Sequence, residues 1–209
     1  MESRRSYGFF ALSIRSALRI DHVILAATDP DAAAARLEAE YGLRAAGGGR
    51  HEGLGTHNRI VPLGDGYLEI LGVADPDEAA RSQIGRALAG RIAQVGEGLM
   101  GWAVAVDDVV PVAERLGTPV SAIVRQGLSA RLTGVLEAMA TPFLPFFLAR
   151  DPGIEDPGAS GGTGGIEWIE VAGDPDRLDA WLDGERLRVR VVDGVPGVRA
   201  VAIGGRILR

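Results

Sequence analysis

Histidine is scarce in this chain: His22, His51 and His57 are all that 209 residues contain. His22 interrupts the apolar run RIDHVILAA, and Glu69 interrupts the equally apolar YLEILGV. Ionisable groups in segments built for burial carry a desolvation cost, so each must be satisfied structurally or belong to a site. A histidine with a carboxylate is a donor set for general acid–base transfer and for a divalent metal. Tyr67, Glu69 and Leu71 alternate onto one side of a strand. If that side is buried, His22 or Arg125 is the natural partner of Glu69. His22 also has a structural reading, as a core histidine satisfied by a backbone carbonyl or by Glu69. In Gly55-Thr56-His57-Asn58, Thr56 and Asn58 either close a turn through their side chains or touch a ligand. His51, in the glycine-rich entry to this segment, is expected to be exposed or at a rim.

Composition narrows the chemistry further. There are no cysteines, which excludes disulfides and thiolate catalysis and leaves His, carboxylate and water as the only metal ligands. A net charge of −6 argues against a nucleic-acid partner. No apolar run reaches the ~20 residues of a membrane span. Gly47-Gly48-Gly49 lacks the context of a phosphate-binding loop, and no nucleophile elbow supports serine hydrolysis. Residues 1–19 read as an N-terminal extension. Arg4-Arg5 ahead of apolar residues resembles an export signal, but the apolar stretch is short and is soon interrupted by Arg15 and Arg19. A cytoplasmic protein is the expectation.

One plan recurs along the chain. RIDHVILAATDPDAAAARL, GLMGWAVAVDDVVPVAERL and GGIEWIEVAGDPDRLDAWL each run from a β-rich strand through an Asp-containing turn into helical spacing. An Asp at the turn caps the coming helix and Pro suits its first turn. Strands are predicted after the first opening near 43–46, 57–63 and 67–73, the last two joined as a hairpin at Gly64-Asp65-Gly66. After the second they fall near 120–125, 130–133 and 146–150, and after the third near 187–192 and 198–203. Apolar spacing over 75–95 predicts an amphipathic linker helix. The fold class is therefore α+β, with repeated βαβββ modules. Module one spans 20–74, the linker 75–97, module two 98–151, a flexible Gly/Pro-rich loop 152–165, and a partial third repeat 166–209.

The βαβββ repeats, with their LDHV-like openings and the GTHN and YLEIL elements, resemble the vicinal oxygen chelate superfamily, which includes glyoxalase I, bleomycin-resistance proteins and extradiol dioxygenases. Within it the chain is most similar to the bacterial glyoxalase-like domain family. The resemblance implies curved, mostly antiparallel sheets around a cup, a small-molecule ligand, and a metal-assisted lyase, isomerase or dioxygenase step on an oxygen-rich or carbonyl compound. It implies a divalent metal (Fe, Mn, Ni or Zn) held by His22 on the first strand and Glu69 on the fourth; His57 would supply a third ligand if the hairpin sets its strand beside that of Glu69. His22 and Glu69 would otherwise serve as an acid–base pair, with His57, Asn58, Arg125 and Trp102 binding substrate. Superfamily members also pair modules across a homodimer.

The copies of the pattern are unequal. Aligning the turns at Asp29 and Asp108 carries His22 to Gly101, and the third opening puts Glu167 there. The last strand of module two lacks the matching glutamate, and Glu155 lies nearby in a Pro-rich loop. Two of four ligands match. This admits an alternative, a non-catalytic binding or sequestering protein of the resistance type. Trp102 and Trp168, at equivalent registers of two repeats, suit a core role better than a ligand platform.

Overall fold

The computed structural model describes residues 18–125 and 128–209. The sequence reading of 1–19 thus lies almost wholly outside the described residues. β1 (Arg19–Ala26) leads through the turn into α1 (Pro30–Tyr41). There Asp29 caps the helix by accepting from the Asp31 and Ala32 N–H groups, with Pro30 in the first turn. β2 (Gly48–His51), β3 (Thr56–Pro62) and β4 (Tyr67–Val73) complete module one. The predicted strand near 43–46 is absent. Leu43 is buried in irregular chain instead, and the strand forms later, where Gly48 lies so close to the Asn58 carbonyl that a Cβ would overlap it.

The linker is two helices, α2 (Pro76–Arg81) and α3 (Gln83–Val95), broken at Ser82. Ser82 adopts extended backbone, and its hydroxyl accepts from Gly85 N–H to start α3. Module two then runs as β5 (Gly98–Ala105), α4 (Val110–Leu116), β6 (Val120–Arg125), β7 (Leu128–Thr133), a short α5 (Val135–Ala140) that the sequence reading missed, and β8 (Phe146–Arg150). Asp108 accepts from Val110 N–H and pairs with Arg131, and it does not cap the helix with two backbone bonds as Asp29 does.

Eight strands form one sheet in the order β2-β3-β4-β1-β5-β8-β7-β6. The order is the same read from either edge, with β1 and β5 antiparallel at the centre and a parallel pair, β1–β4 and β5–β8, on each side. Both modules are therefore built alike and joined at their first strands. The third repeat, β9 (Ile166–Ala172), α6 (Pro175–Trp181), β10 (Val189–Val192), β11 (Gly197–Ile203) and β12 (Arg206–Leu208), repeats the opening but not the pairing. It forms its own sheet in the order β10-β9-β11-β12. Ile169, Val171, Val201 and Ile203 of that sheet share the main core with Val23, Trp102 and Phe147. They cover the sheet face opposite the cup.

The loop 152–165 is hydrogen-bonded to the turn between β3 and β4. Gly64 N–H donates to the Gly158 carbonyl (2.7 Å) and Gly165 N–H to the Leu63 carbonyl (2.8 Å). A Cβ on Gly161 would lie 2.2 Å from the Pro62 backbone, so only glycine permits this approach. Gly161→Ala is expected to cost about 1–3 kcal/mol by overpacking. A lowered urea midpoint and earlier proteolytic cutting in the loop would report it; an unchanged midpoint would mean that the loop does not need this contact.

Candidate functional site

The cup face of the sheet is set by strand alternation. On β4, Tyr67, Glu69 and Leu71 point into the cup, and on β3 their cross-strand neighbours Pro62, Ile60 and Asn58 do the same. His57 pairs with Gly72 on the opposite face, so it is not brought to Glu69. That removes His57 as the third ligand that the hairpin suggested and as a substrate contact: the register places it one residue out of phase. Its Nδ1 is buried with no hydrogen-bond partner among the described residues.

His22 stands on β1 beside Tyr67, and the two rings stack with centroids 4.6 Å apart; Phe146 meets His22 edge-on at 5.4 Å. The β1–β5 register slips between Ile20 and His22, so Asp21 is the extra residue of a β-bulge. Bulges re-aim side chains. Here the carboxylate of Asp21 reaches the Nδ1 of the adjacent His22 at 2.7 Å. Asp21 is fully buried, and Arg150 at the end of β8 clasps both its oxygens, at 2.6 and 2.9 Å. Burial alone would push the Asp21 carboxyl up. The hydrogen bonds and charges of His22 and Arg150 outweigh it and hold the group well below the usual carboxylate range. Burial likewise opposes the charge on Arg150, and the bonds to Asp21 more than restore it.

An ionised Asp21 accepts a hydrogen bond from Nδ1–H, which leaves the unprotonated Nε2 of His22 facing Glu69 Oε2 at 3.6 Å. Glu69 is held from its other oxygen by the amide of Asn58, whose own carbonyl accepts from Gly49 N–H (2.9 Å). Arg150, Asp21, His22, Glu69 and Asn58 thus form one polar chain across four strands, β8, β1, β4 and β3. His51 Nδ1 bonds Thr56 Oγ1 at 2.8 Å and lies on the cavity wall, as a rim residue would. The side chain of Arg125 lies outside the described residues. Trp102 is fully buried in the core with Val23, and its indole N–H donates to the Phe143 carbonyl at 3.0 Å. The residue borders the cavity, but its ring is anchored in the core on the side of β5 away from His22.

The chain opens onto a cavity of about 640 Å³ enclosed by the sheet, α3 and α5. Its walls are largely apolar, formed by side chains such as Ile24, Leu71, Ile84, Leu132, Met139 and Phe146. A mostly apolar cleft of this size with a few converging polar groups is the usual form of a small-molecule site.

The residues present do not fit the divalent metal. Only His22 Nε2 and Glu69 face the relevant point, and among the described residues no three His, Asp or Glu side chains gather to hold an ion. Catalytic metals usually take three protein ligands. The second module supplies none. The alignment of Asp29 with Asp108 carries His22 to Gly101. Through the ladders Ile24↔Glu69 and Ala103↔Phe146, it carries Glu69 to Phe146.

This sheet, cup and cavity agree with the comparisons. The description "glyoxalase-like domain" belongs to the family that matches residues 20–185. The chain belongs to the glyoxalase-like domain family. No protein of curated function matches it. Among solved structures, a hypothetical protein from Staphylococcus aureus superposes with a TM-score of 0.64 at 16% identity, over 91% of this chain and 97% of its own. A methylmalonyl-CoA epimerase in complex with methylmalonyl-CoA and NH4+ gives 0.53 at 24% identity, over 68% of this chain and all of its own. A Streptomyces coelicolor methylmalonyl-CoA epimerase with 2-nitronate-propionyl-CoA gives 0.50 at 23%, over 63% and 96%. At these identities the likeness is one of fold. No helix among the described residues is long and apolar enough to cross a membrane.

Proposed function

We propose that this glyoxalase-like protein encloses an apolar small molecule bearing a carbonyl group and moves a proton on it without a metal. The observation that supports this reading is the buried chain Arg150–Asp21–His22–Glu69, which ends in the cavity. Asp21 orients the imidazole and Arg150 fixes Asp21, leaving Nε2 to act as the base. His22 Nε2 takes a proton from the carbon beside the carbonyl and the electron pair passes to the carbonyl oxygen. The proton is then returned to carbon, so nothing is gained or lost. This is isomerase chemistry, the class to which the epimerases of similar fold belong. A second reading, a non-catalytic sequestering protein, draws support from Gly101 and Phe146, which put no ionisable group at the two positions of module two that match His22 and Glu69.

The two readings separate on one measurement, exchange of α-protons in D2O followed by NMR with a panel of apolar ketones. The wild type is expected to exchange the α-proton of a ketone that it binds, and His22→Ala to slow this by about 10²–10⁴-fold while retaining binding. A ketone bound in the cavity but exchanged no faster by the wild type than by His22→Ala would leave only the sequestering reading.

A further inference from the structure

α3 faces the cavity with Ile84, Ala87, Arg91 and Gln94, a spacing of three and four residues that defines one stripe of a helix. Arg91 is out of place in that stripe. Its Nη2 makes a long bond, 3.3 Å, to the Leu99 carbonyl, and its Nη1 is buried with no hydrogen-bond partner among the described residues. No carboxylate pairs with it among the described residues. Glu97, the next acid along the chain, is already taken by Arg36 and by Thr28 N–H. The other buried guanidinium group in the site region has its anion: Arg150 holds Asp21. A half-buried, unpaired guanidinium on an apolar wall carries an uncompensated desolvation cost, which burial expresses by lowering its proton affinity.

We propose that the ligand supplies the missing anion: the molecule enclosed by the cup carries a carboxylate that the Arg91 guanidinium binds, at the end of the cavity away from His22. This inference deepens the reading above and rests on it. The sheet gives the separation. Arg91 reaches the backbone at Leu99, which pairs with Leu25, three residues along β1 from His22. That is about 10 Å at the rise of a strand. The apolar walls between the two ends suit a hydrocarbon or ring body, so the substrate class is an apolar oxo-acid of medium length. Its carbonyl would lie at His22 and its carboxylate at Arg91. The guanidinium provides parallel donors matched to a carboxylate.

Octanoate and 1-octanol, which share a chain and differ in charge, test this by titration calorimetry against the whole protein. Octanoate is expected to bind about ten- to a hundredfold more tightly than octanol, the range for a hydrogen bond to a charged group. Arg91→Met should erase that preference and leave octanol affinity unchanged, whereas Arg91→Lys, which keeps the charge, should retain part of it. Gly101→Leu locates the site. A Cβ there meets nothing within 4 Å, so the longer side chain enters the cavity and should weaken both probes together. Equal binding of the two probes to the wild type, or a preference that survives Arg91→Met, overturns the assignment to Arg91 and leaves the apolar cup in place. Binding of neither probe overturns both readings.

Discussion

Arg150→Met will lose about 3–5 kcal/mol of folding stability at neutral pH, the cost of leaving a buried charge without its partner. The carboxylate of Asp21 is fully buried, and two of its principal contacts come from this one guanidinium. Methionine keeps the packing volume along β8 and removes only the donors. Asp21→Asn in the same background should recover part of the loss, because the group left behind no longer needs a cation. The pH dependence has a definite sign. The folded-state pKa of Asp21 lies below its unfolded value of about 3.9. Its contribution is therefore complete above that value and disappears as the pH falls through the lower, folded-state pKa. The gap between wild type and Arg150→Met should be widest near neutrality and close on acidification. Urea unfolding at a series of pH values measures it, and a gap that widens in acid would show that Arg150 stabilises something other than ionised Asp21.

The second large effect concerns Trp102. Trp102→Ala should cost about 3–5 kcal/mol, because it empties a fully buried volume between the two sheets. Trp102→Phe should cost less but still a measurable amount, since it leaves the Phe143 carbonyl without the indole donor. Both are expected to bind octanol as the wild type does once refolded in buffer without denaturant. If the ring were a ligand platform, truncation would lower affinity more than stability.

Much of this arrangement was legible from residue types. The strand periods around His22 and Glu69 place both side chains in the cup, and the Asp-Pro turns give Asp29 and Asp174 as helix caps. Gly101 was visible as a vacancy in the repeated pattern. Alternation alone could not provide the partner of His22. Asp21 is adjacent in sequence, so strict period-two reasoning sends it to the other face. The β-bulge that brings it back is a property of the β1–β5 register, which local sequence does not encode. The clue was present in the polar pair Asp21-His22 within an otherwise apolar run. His57 failed for the complementary reason: lying one residue from Asn58, it reads as part of the same motif but belongs to the opposite face. Arg150 and Arg91 lie far from His22 in the chain and meet the cavity only through the closure of β8 and α3 onto it. The short β10 and β12 pairings were also beyond reach, since the third repeat copies the opening of a module but not its strand order.

The central antiparallel junction of β1 with β5 makes the two halves of the cup parts of one chain. A cup made of two identical halves would offer every group twice and accept a ligand in either of two orientations. Joined in one chain, the two halves carry different side chains at matching positions. One half presents a basic nitrogen and a carboxylate, and the other a hydrogen atom and a benzyl group, at Gly101 and Phe146. The cavity therefore has a head and a tail, and a molecule with distinguishable ends has a single way to lie in it.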